Sequence, residues 1–270
     1  MIDFPKFSIV TISYNQSEYL RECIESVVSQ LGPDDQYIIV DPGSTDGSRS
    51  IIDSYSRIEK VYQSDKGPAD GLNNGFISAK NDYLYFINSD DVLMPGALDK
   101  IRKIAASNLN IDVFCFSGFL VNDSLQKLRP MRSFIFTAQR MLKCITTVFQ
   151  QGVVFRRQAF LDVGMFNEEN KTCWDAELLF DLSMRGSAFL DCDTPVALFR
   201  YHQTSITGSA TNFIENKKNK DRMFFSKYRR FPNRLDRIEM KINTYRKYFY
   251  ISYTLCYLTL RLRRVIGLFK

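Results

Sequence analysis

Asn88, Ser89, Asp90 and Asp91 stand in a row directly after "YLYFI" (83–87), five residues that read as a buried strand. Two adjacent carboxylates repel each other, and partial burial makes each costlier to ionise. Either both lie in solvent at an ordinary turn, or something positive sits between them. Hard divalent cations such as Mg2+ and Mn2+ take oxygen ligands and usually keep substrate phosphates in their shell, which would make the second arrangement a phosphate-handling site. A further carboxylate, Asp175 in "WDAELL", falls at a predicted helix start with Leu178, Leu179 and Leu182 on the packing stripe. In that place an Asp serves as a helix cap or as a proton acceptor. His202 is the single histidine of the chain, and a lone histidine is usually structural.

These groups need a frame, and the order of elements supplies one. "FSIVTIS" (7–13) is a short β-branched strand, followed by a helix with Leu20, Ile24, Val27 and Val28 at helical spacing. Asn15 and Glu18, three residues apart, resemble a capping box at its start. "YIIVD" (37–41) is a second buried strand closed by the turn "PGSTDGS" and a short helix. "KVYQS" (60–64) is a weaker third strand, and "PADGLNNGFISAK" is a helix with Pro68 in its first turn. After "YLYFI" come a helix in "PGALDKIRKIAAS" and a strand in "DVFCFSGFLV". Strands alternating with helices predict an α/β fold with a mostly parallel sheet, whose ligands lie outside the carboxyl ends of the strands. Tyr14 and Asn15, Asp41, Asp65 and Lys66, and Asn88 to Asp91 occupy four consecutive strand ends. One such group reads as turn chemistry; four in one position read as a single crevice.

The bulk properties are compatible with that frame. The chain has 270 residues, 45% of them hydrophobic, enough for a sizeable core. Cys23, Cys115, Cys144, Cys173, Cys192 and Cys256 are scattered without a C-x-x-C pair, a pattern expected of reduced thiols and not of a zinc site. Met1 to Lys6 show no apolar run behind a basic start, so no usual secretory signal is expected. The net charge of +6 divides unevenly: residues 1–214 hold 20 Lys and Arg against 26 Asp and Glu, residues 215–270 hold 16 against 4.

"SIVTISYNQSEYLRECIESVVSQ", "YIIVDPGSTDGS", "SDKGPADGLNNGF" and "FINSDDVLMPGAL" resemble, in order and spacing, the donor half of family 2 glycosyltransferases with the GT-A fold. "QQGVVFRRQAFLDVGMFNE", "WDAELLFDLSMRG" and "FRYHQTSITGS" resemble that family's acceptor half, so the likeness spans roughly residues 6–209. It implies a GT-A catalytic domain over 1–212, with a donor-binding half (1–118) and an acceptor half (119–212). It also implies an inverting transfer from a nucleoside-diphosphate sugar with Mn2+ or Mg2+ as cofactor. In that pattern "NSDD" corresponds to the D-x-D-like motif, with Asp91 the metal ligand and Asp90 a contact to ribose or metal; Asn88 stands where the family often has Asp. Asp41 matches the residue that hydrogen-bonds the imide N–H of uracil, which favours UDP, and Tyr14 can pack on the base. Asn15, Asp65 and Asp70 fall at donor positions, and Lys66 beside the phosphates. Asp175 matches the catalytic base, with Trp174 where a Glu often precedes it. Gln151 and Glu177 match acceptor contacts. His202 lies in a loop that closes over the diphosphate, as a metal or phosphate contact, and Arg200 is a further phosphate candidate.

Residues 213–270 lie outside the resemblance. Tyr248 to Leu260 carry no charge but span 13 residues, short of the roughly 20 that a membrane span needs. Arg246, Lys247, Arg261, Arg263 and Arg264 flank them. The expectation is a basic amphipathic helical tail lying on an anionic membrane surface, with the protein cytoplasmic and attached to the inner face of the cell membrane. The acceptor expected from it is a lipid-linked saccharide of a bacterial surface polysaccharide. A helix packed on the catalytic body or a second subunit is the plain alternative, and nucleic acid the less favoured one. Two other functions compete. A nucleotidyltransferase also needs strand-end carboxylates, but "YNQSEY" has no glycine for a phosphate loop. A degenerate nucleotide-sugar-binding module would not need to keep Asp90, Asp91 and Asp175.

Overall fold

The computed structural model describes residues 5–202 and 212–246. The loop after His202 and the uncharged run 248–260 lie outside the described residues, as does Cys256.

The first half follows the predicted alternation. Strands β1 (Phe7–Ile12), β2 (Gln36–Val40), β3 (Glu59–Val61) and β4 (Tyr83–Phe86) run parallel in the order β3-β2-β1-β4. Helices α1 (Ser17–Val28), α2 (Ser48–Asp53) and α3 (Pro68–Ile77) connect them. β2 and β4 are buried along their whole length, which is why they read as unbroken apolar runs and not as alternating ones. Leu20, Cys23, Ile24 and Val27 form the buried stripe of α1. α3 lies close on β1 because Gly75 has no side chain: a Cβ there would stand 2.6 Å from Val10 Cγ1. The capping box expected from Asn15 and Glu18 does not form. Gln16 is the N-cap residue and makes no side-chain cap, while Asn15 adopts a left-handed backbone and turns its amide elsewhere.

The second half extends the sheet in mixed orientation. Its strands are β5 (Val92–Leu93), β6 (Val113–Val121), β7 (Lys127–Met131), β8 (Val153–Arg156) and β9 (Phe189–Arg200). β8 inserts antiparallel between β4 and β6, and β6 pairs in parallel with β9. The helices here are α4 (Ala97–Ala106), α5 (Ala138–Leu142), α6 (Arg157–Asp162) and α7 (Trp174–Met184). Two apolar clusters cover the sheet. One includes the buried stripes of α1 and α4; the other includes α3, Phe155, Phe160 and the Leu178, Leu179 and Leu182 stripe of α7.

The division expected at residue 212 is not a break in packing. Helix α8 (Asn212–Tyr228) buries Met223 and Phe224 against Ala138, Leu142 and Phe180, and Met240 of a further helix, α9 over 234–246, packs on the same cluster. Asn243 Nδ2 donates to the Lys143 carbonyl at 3.0 Å, and Lys143 pairs with Glu239 at 2.9 Å. The described part of the basic tail is helical, as expected, and it is a wall of the catalytic body.

Candidate functional site

The turn after β2 is drawn tight around one carboxylate. Asp41 is fully buried, and its Oδ1 accepts from Gly43 N (2.9 Å), Ser44 N (2.8 Å) and Arg49 Nε (3.0 Å). Burial alone would push this carboxyl up, but the donors from Ser44, Gly43 and Arg49 outweigh it and hold the group below its ordinary range. Its other oxygen, Oδ2, is buried and has no hydrogen-bond partner. An ionised oxygen left unpaired inside a protein is costly, so this one is a vacant acceptor. Asn15 serves the same turn: its backbone N–H donates to Ser44 Oγ (2.8 Å) and its Oδ1 accepts from Thr45 N (2.9 Å). Tyr14, just before it, is 61% exposed, a free aromatic face beside the crevice.

The end of β3 brings Asp65, Lys66 and Asp70 together. Asp65 Oδ1 accepts from Gly67 N at 3.0 Å, and Asp70 Oδ2 from Lys66 N at 2.8 Å. Burial and the neighbouring charges of Asp70 and Asp41 raise Asp65 despite the Gly67 hydrogen bond, so this carboxylate shares a field with Asp41. Gly71 makes room for it, since a Cβ there would meet Asp65 Oδ2 at 2.7 Å. The Lys66 ammonium is largely exposed and stands 3.9 Å from Glu168.

At the end of β4 the two adjacent carboxylates part company. Asp91 is fully buried: Oδ1 accepts from Arg200 N (2.9 Å), and Oδ2 from Gln151 Nε2 (3.0 Å) and Asn88 Nδ2 (3.3 Å). Burial, with the charge of Asp90 beside it, holds Asp91 well above the ordinary carboxylate range even so. Asp90 is partly open, and its Oδ2 lies 3.0 Å from His202 Nε2. The His202 ring rests on Tyr19, with centroids 4.9 Å apart. The sequence placed the metal on Asp91 and His202, with Asp90 a contact to ribose or metal; the geometry turns Asp91 inward as a clamp between the end of β4, the turn before β8 and the end of β9, and leaves the partly open Asp90 paired with a buried His202. Gln151 was expected at the acceptor, but its side-chain Nε2 donates to Asp91 and its backbone carbonyl accepts from the Tyr85 hydroxyl at 2.6 Å. Arg200 is spent likewise. Its guanidinium is buried, bonded to the Asp90 carbonyl (2.8 Å), the Asp123 carbonyl and Glu22, and it covers the Tyr19 ring at 4.7 Å.

Asp175 lies in the first turn of α7, half-buried in the wall of a cavity of about 360 Å3. Burial raises its carboxyl above the ordinary range, and the backbone N–H groups of Ala176 and Asp175 offset only part of that. A carboxylate raised in this way holds a proton more readily than a solvated one, which suits a general base. The same cavity is lined by Gln150, whose Nε2 is buried without an acceptor while its Oε1 accepts from Asn88 at 3.4 Å. Asn88 and Gln150 thus link the cavity to the Asp91 clamp. Glu177, expected at the acceptor, is buried and its carboxylate is taken up by Asn167, Asn170 (2.6 Å) and Arg222 (2.7 Å).

Sequence reasoning missed the residues that set the Asp175 turn. Asn170 Oδ1 accepts from the backbone of Thr172 and Cys173 and from Asn219 of α8 (2.7 Å), which shapes the approach to α7. Nothing local marks these residues, since their partners lie up to 49 positions away.

Asp90 and His202 offer one carboxylate and one imidazole, and among the described residues no group of three or more His, Cys, Asp or Glu is placed to hold a metal. That set suits a cation that completes its shell with phosphate oxygens, the usual mode of Mg2+ at one or two carboxylates, and not a closed protein cage.

Comparison with known proteins identifies the family and the fold. The sequence model for Glycosyl transferase family 2 matches residues 8–164, more than half the chain. An uncharacterized glycosyltransferase of Rickettsia typhi is 26% identical over 224 residues, covering 78% of this chain and 69% of that protein. The putative teichuronic acid biosynthesis glycosyltransferase TuaG of Bacillus subtilis is 36% identical over 142 residues, covering 51% of this chain and 55% of its own. Among solved structures, S. aureus TarS 1–349 superposes with a TM-score of 0.64 at 18% identity, covering 92% of this chain and 73% of that one. Its complex with UDP-GlcNAc gives 0.62, with coverage of 82% and 71%. At such identity the TarS likeness speaks to the fold.

Proposed function

The chain belongs to glycosyl transferase family 2, and from that premise we propose that it is an inverting, metal-dependent hexosyltransferase. In this reading it moves a sugar from UDP to a lipid-linked saccharide during assembly of a bacterial surface polysaccharide. The observation that carries the donor assignment is the buried, unpartnered Asp41 Oδ2 at the end of β2. It is an acceptor waiting for a donor, and the imide N–H of uracil supplies one, with Tyr14 free to pack on the ring. The UDP-GlcNAc complex of the structurally similar TarS and the polysaccharide role in the name of TuaG support the same reading.

The residues divide the work as follows. Asp90 and His202 hold the cation together with the diphosphate, and Asp91 fixes the strand end beneath them. Mn2+ or Mg2+, when bound, neutralises charge on the departing diphosphate. Asp175 takes the proton of the accepting hydroxyl while the oxygen attacks the anomeric carbon and the bond to UDP breaks, which inverts that carbon. Asp65 and Asp70 face the nucleoside and donor sugar, and Lys66 the phosphates.

A peripheral membrane seat is supported by the outer face of α9. Leu235, Ile238, Ile242 and Tyr245 are all exposed and recur at helical spacing, with Leu235 at 74%. Arg234, Lys241 and Arg246 lie between and beside them, and among the described residues none of these three takes part in an ion pair. An apolar stripe edged with cations suits the interface of an anionic bilayer. Among the described residues no helix is long and apolar enough to cross a membrane.

The test is a panel of UDP-sugars with Mn2+ or Mg2+, scored by UDP release and by melting temperature. A true donor stabilises the fold by mass action and releases UDP only with metal. If no UDP-sugar shifts the melt with either cation, the assignment is wrong.

A further inference from the structure

The cavity beside Asp175 has a lining at odds with a sugar. Sugar sites present many hydrogen-bonding groups, because each hydroxyl taken out of water needs a partner. Here Phe136, Met141, Leu142, Val148, Met240 and Thr244 are among the side chains that form the walls. Thr146, Lys220 and Asp221 are polar members of the lining, and two more, Asp175 and Gln150, can serve a hydroxyl. One can take a proton, and the other holds a buried amide N–H with nothing to receive it. Those are the two contacts that one hydroxyl oxygen needs, and beyond them the space is largely apolar. At about 360 Å3 the cavity lies at the lower end of the range of ligand pockets, roughly 300–1,000 Å3.

We infer that this cavity binds an apolar chain, acyl or prenyl, carried by the acceptor next to its accepting hydroxyl. The inference rests on the transferase reading above, since the base must reach the hydroxyl and the occupant of its cavity is therefore the acceptor. The walls come from the ends of β4 and β8 and from α5, α7, α8 and α9, of which α9 contributes Met240 and Thr244. The same helix turns its exposed stripe of Leu235, Ile238, Ile242 and Tyr245 outward. One face of α9 thus lines the cavity while another meets the surroundings, and a chain drawn from a bilayer under α9 has a short path to Asp175. Lys220 of α8 also lines the cavity and is exposed, a cation placed for an anionic group near the chain.

Trp174 is the only tryptophan of the chain and reports on this space. Its ring lies 5.7 Å from Phe86 and 5.0 Å from Phe166, both of which line the cavity. The experiment titrates n-alkyl phosphates of increasing length, each below its micelle concentration, into the full chain while Trp174 emission is read. UDP affinity is measured in parallel. The result expected is a saturable emission change, with affinity rising about fourfold per added methylene until the cavity is full. Filling the space with Thr244→Phe should weaken octyl phosphate at least tenfold and leave UDP affinity unchanged. Should Thr244→Phe fail to fold, alkylation of Cys144, a free thiol of the cavity wall, supplies a second readout on the parent chain. Octyl phosphate should slow it, and inorganic phosphate should not.

The inference is overturned if UDP binds but no alkyl phosphate perturbs Trp174 or protects Cys144. It is equally overturned if affinity is indifferent to chain length, or if Thr244→Phe folds and binds octyl phosphate as the parent does. Loss of UDP binding in the parent chain contradicts the transferase reading itself, and so separates the two failures.

Discussion

In the proposed reading one atom, Asp41 Oδ2, sets the nucleotide preference. Oδ1 of the same carboxylate is saturated by Gly43, Ser44 and Arg49, so in Asp41→Asn the amide oxygen keeps that place and the NH2 takes the position of Oδ2. A donor then faces the uracil imide N–H and repels it, while the N3 of cytosine is an acceptor. The expected outcome is a shift of nucleotide preference from UDP toward CDP of about tenfold or more, read as the ratio of the two dissociation constants. An unchanged ratio removes Asp41 from base recognition. Asp175 carries a second prediction. Transfer needs its carboxylate ionised, and burial raises it above the ordinary value of 3.8. The turnover rate therefore falls as pH drops through that raised value, and the acid limb lies above the usual carboxylate range. Asp175→Asn should lose this limb and reduce transfer about 10²-fold or more, with UDP affinity kept. Transfer within a few-fold of the parent would assign the base elsewhere.

At the scale of elements, the strand ends of the first half were legible because both signals there are local: unbroken apolar runs make buried parallel strands, and polar residues follow each one. Pro68 likewise stands in the first turn of α3, as its fixed backbone angle predicts. What escaped was everything fixed by distant partners. Asn15 and Glu18 have the spacing of a capping box, yet Asn15 is claimed by Thr45 across the crevice. The adjacent Asp90 and Asp91 gave no hint of which one turns inward, because Arg200 and Gln151, which decide it, lie 109 and 60 residues further on. That clamp has a measurable consequence. Asp91→Ala would strand the Gln151 amide and the Arg200 N–H and lower stability by about 1–3 kcal/mol. Asp90→Ala, at the open side, should cost less. Equal denaturation midpoints for the two variants would show that Asp91 does not join the strands.

For the whole molecule, the basic C-terminal region is part of the packed body, which composition alone could not reveal. Its charge and its apolar spacing were visible, but Asn219, Met223 and Phe224 looked no different from surface residues until α8 was seen against α5 and α7. A chain ending at residue 211 would expose Leu142 and Phe180 and leave Glu177 without Arg222. It should lose its cooperative melt, since each large apolar side chain uncovered costs about 1.5–3 kcal/mol. A chain ending at residue 246 should melt and bind UDP like the full chain. Indistinguishable melts for both truncations would make α8 an appendage. The central claim is that the crevice holds a nucleoside diphosphate through a cation shared with Asp90 and His202. Calorimetric titration of UDP into the full chain, in Mn2+ and again in EDTA, tests it most directly. The account predicts at least about tenfold tighter binding with Mn2+, and no such difference in Asp90→Ala. Equal affinity for UDP in Mn2+ and in EDTA, or a metal dependence that survives Asp90→Ala, would contradict it.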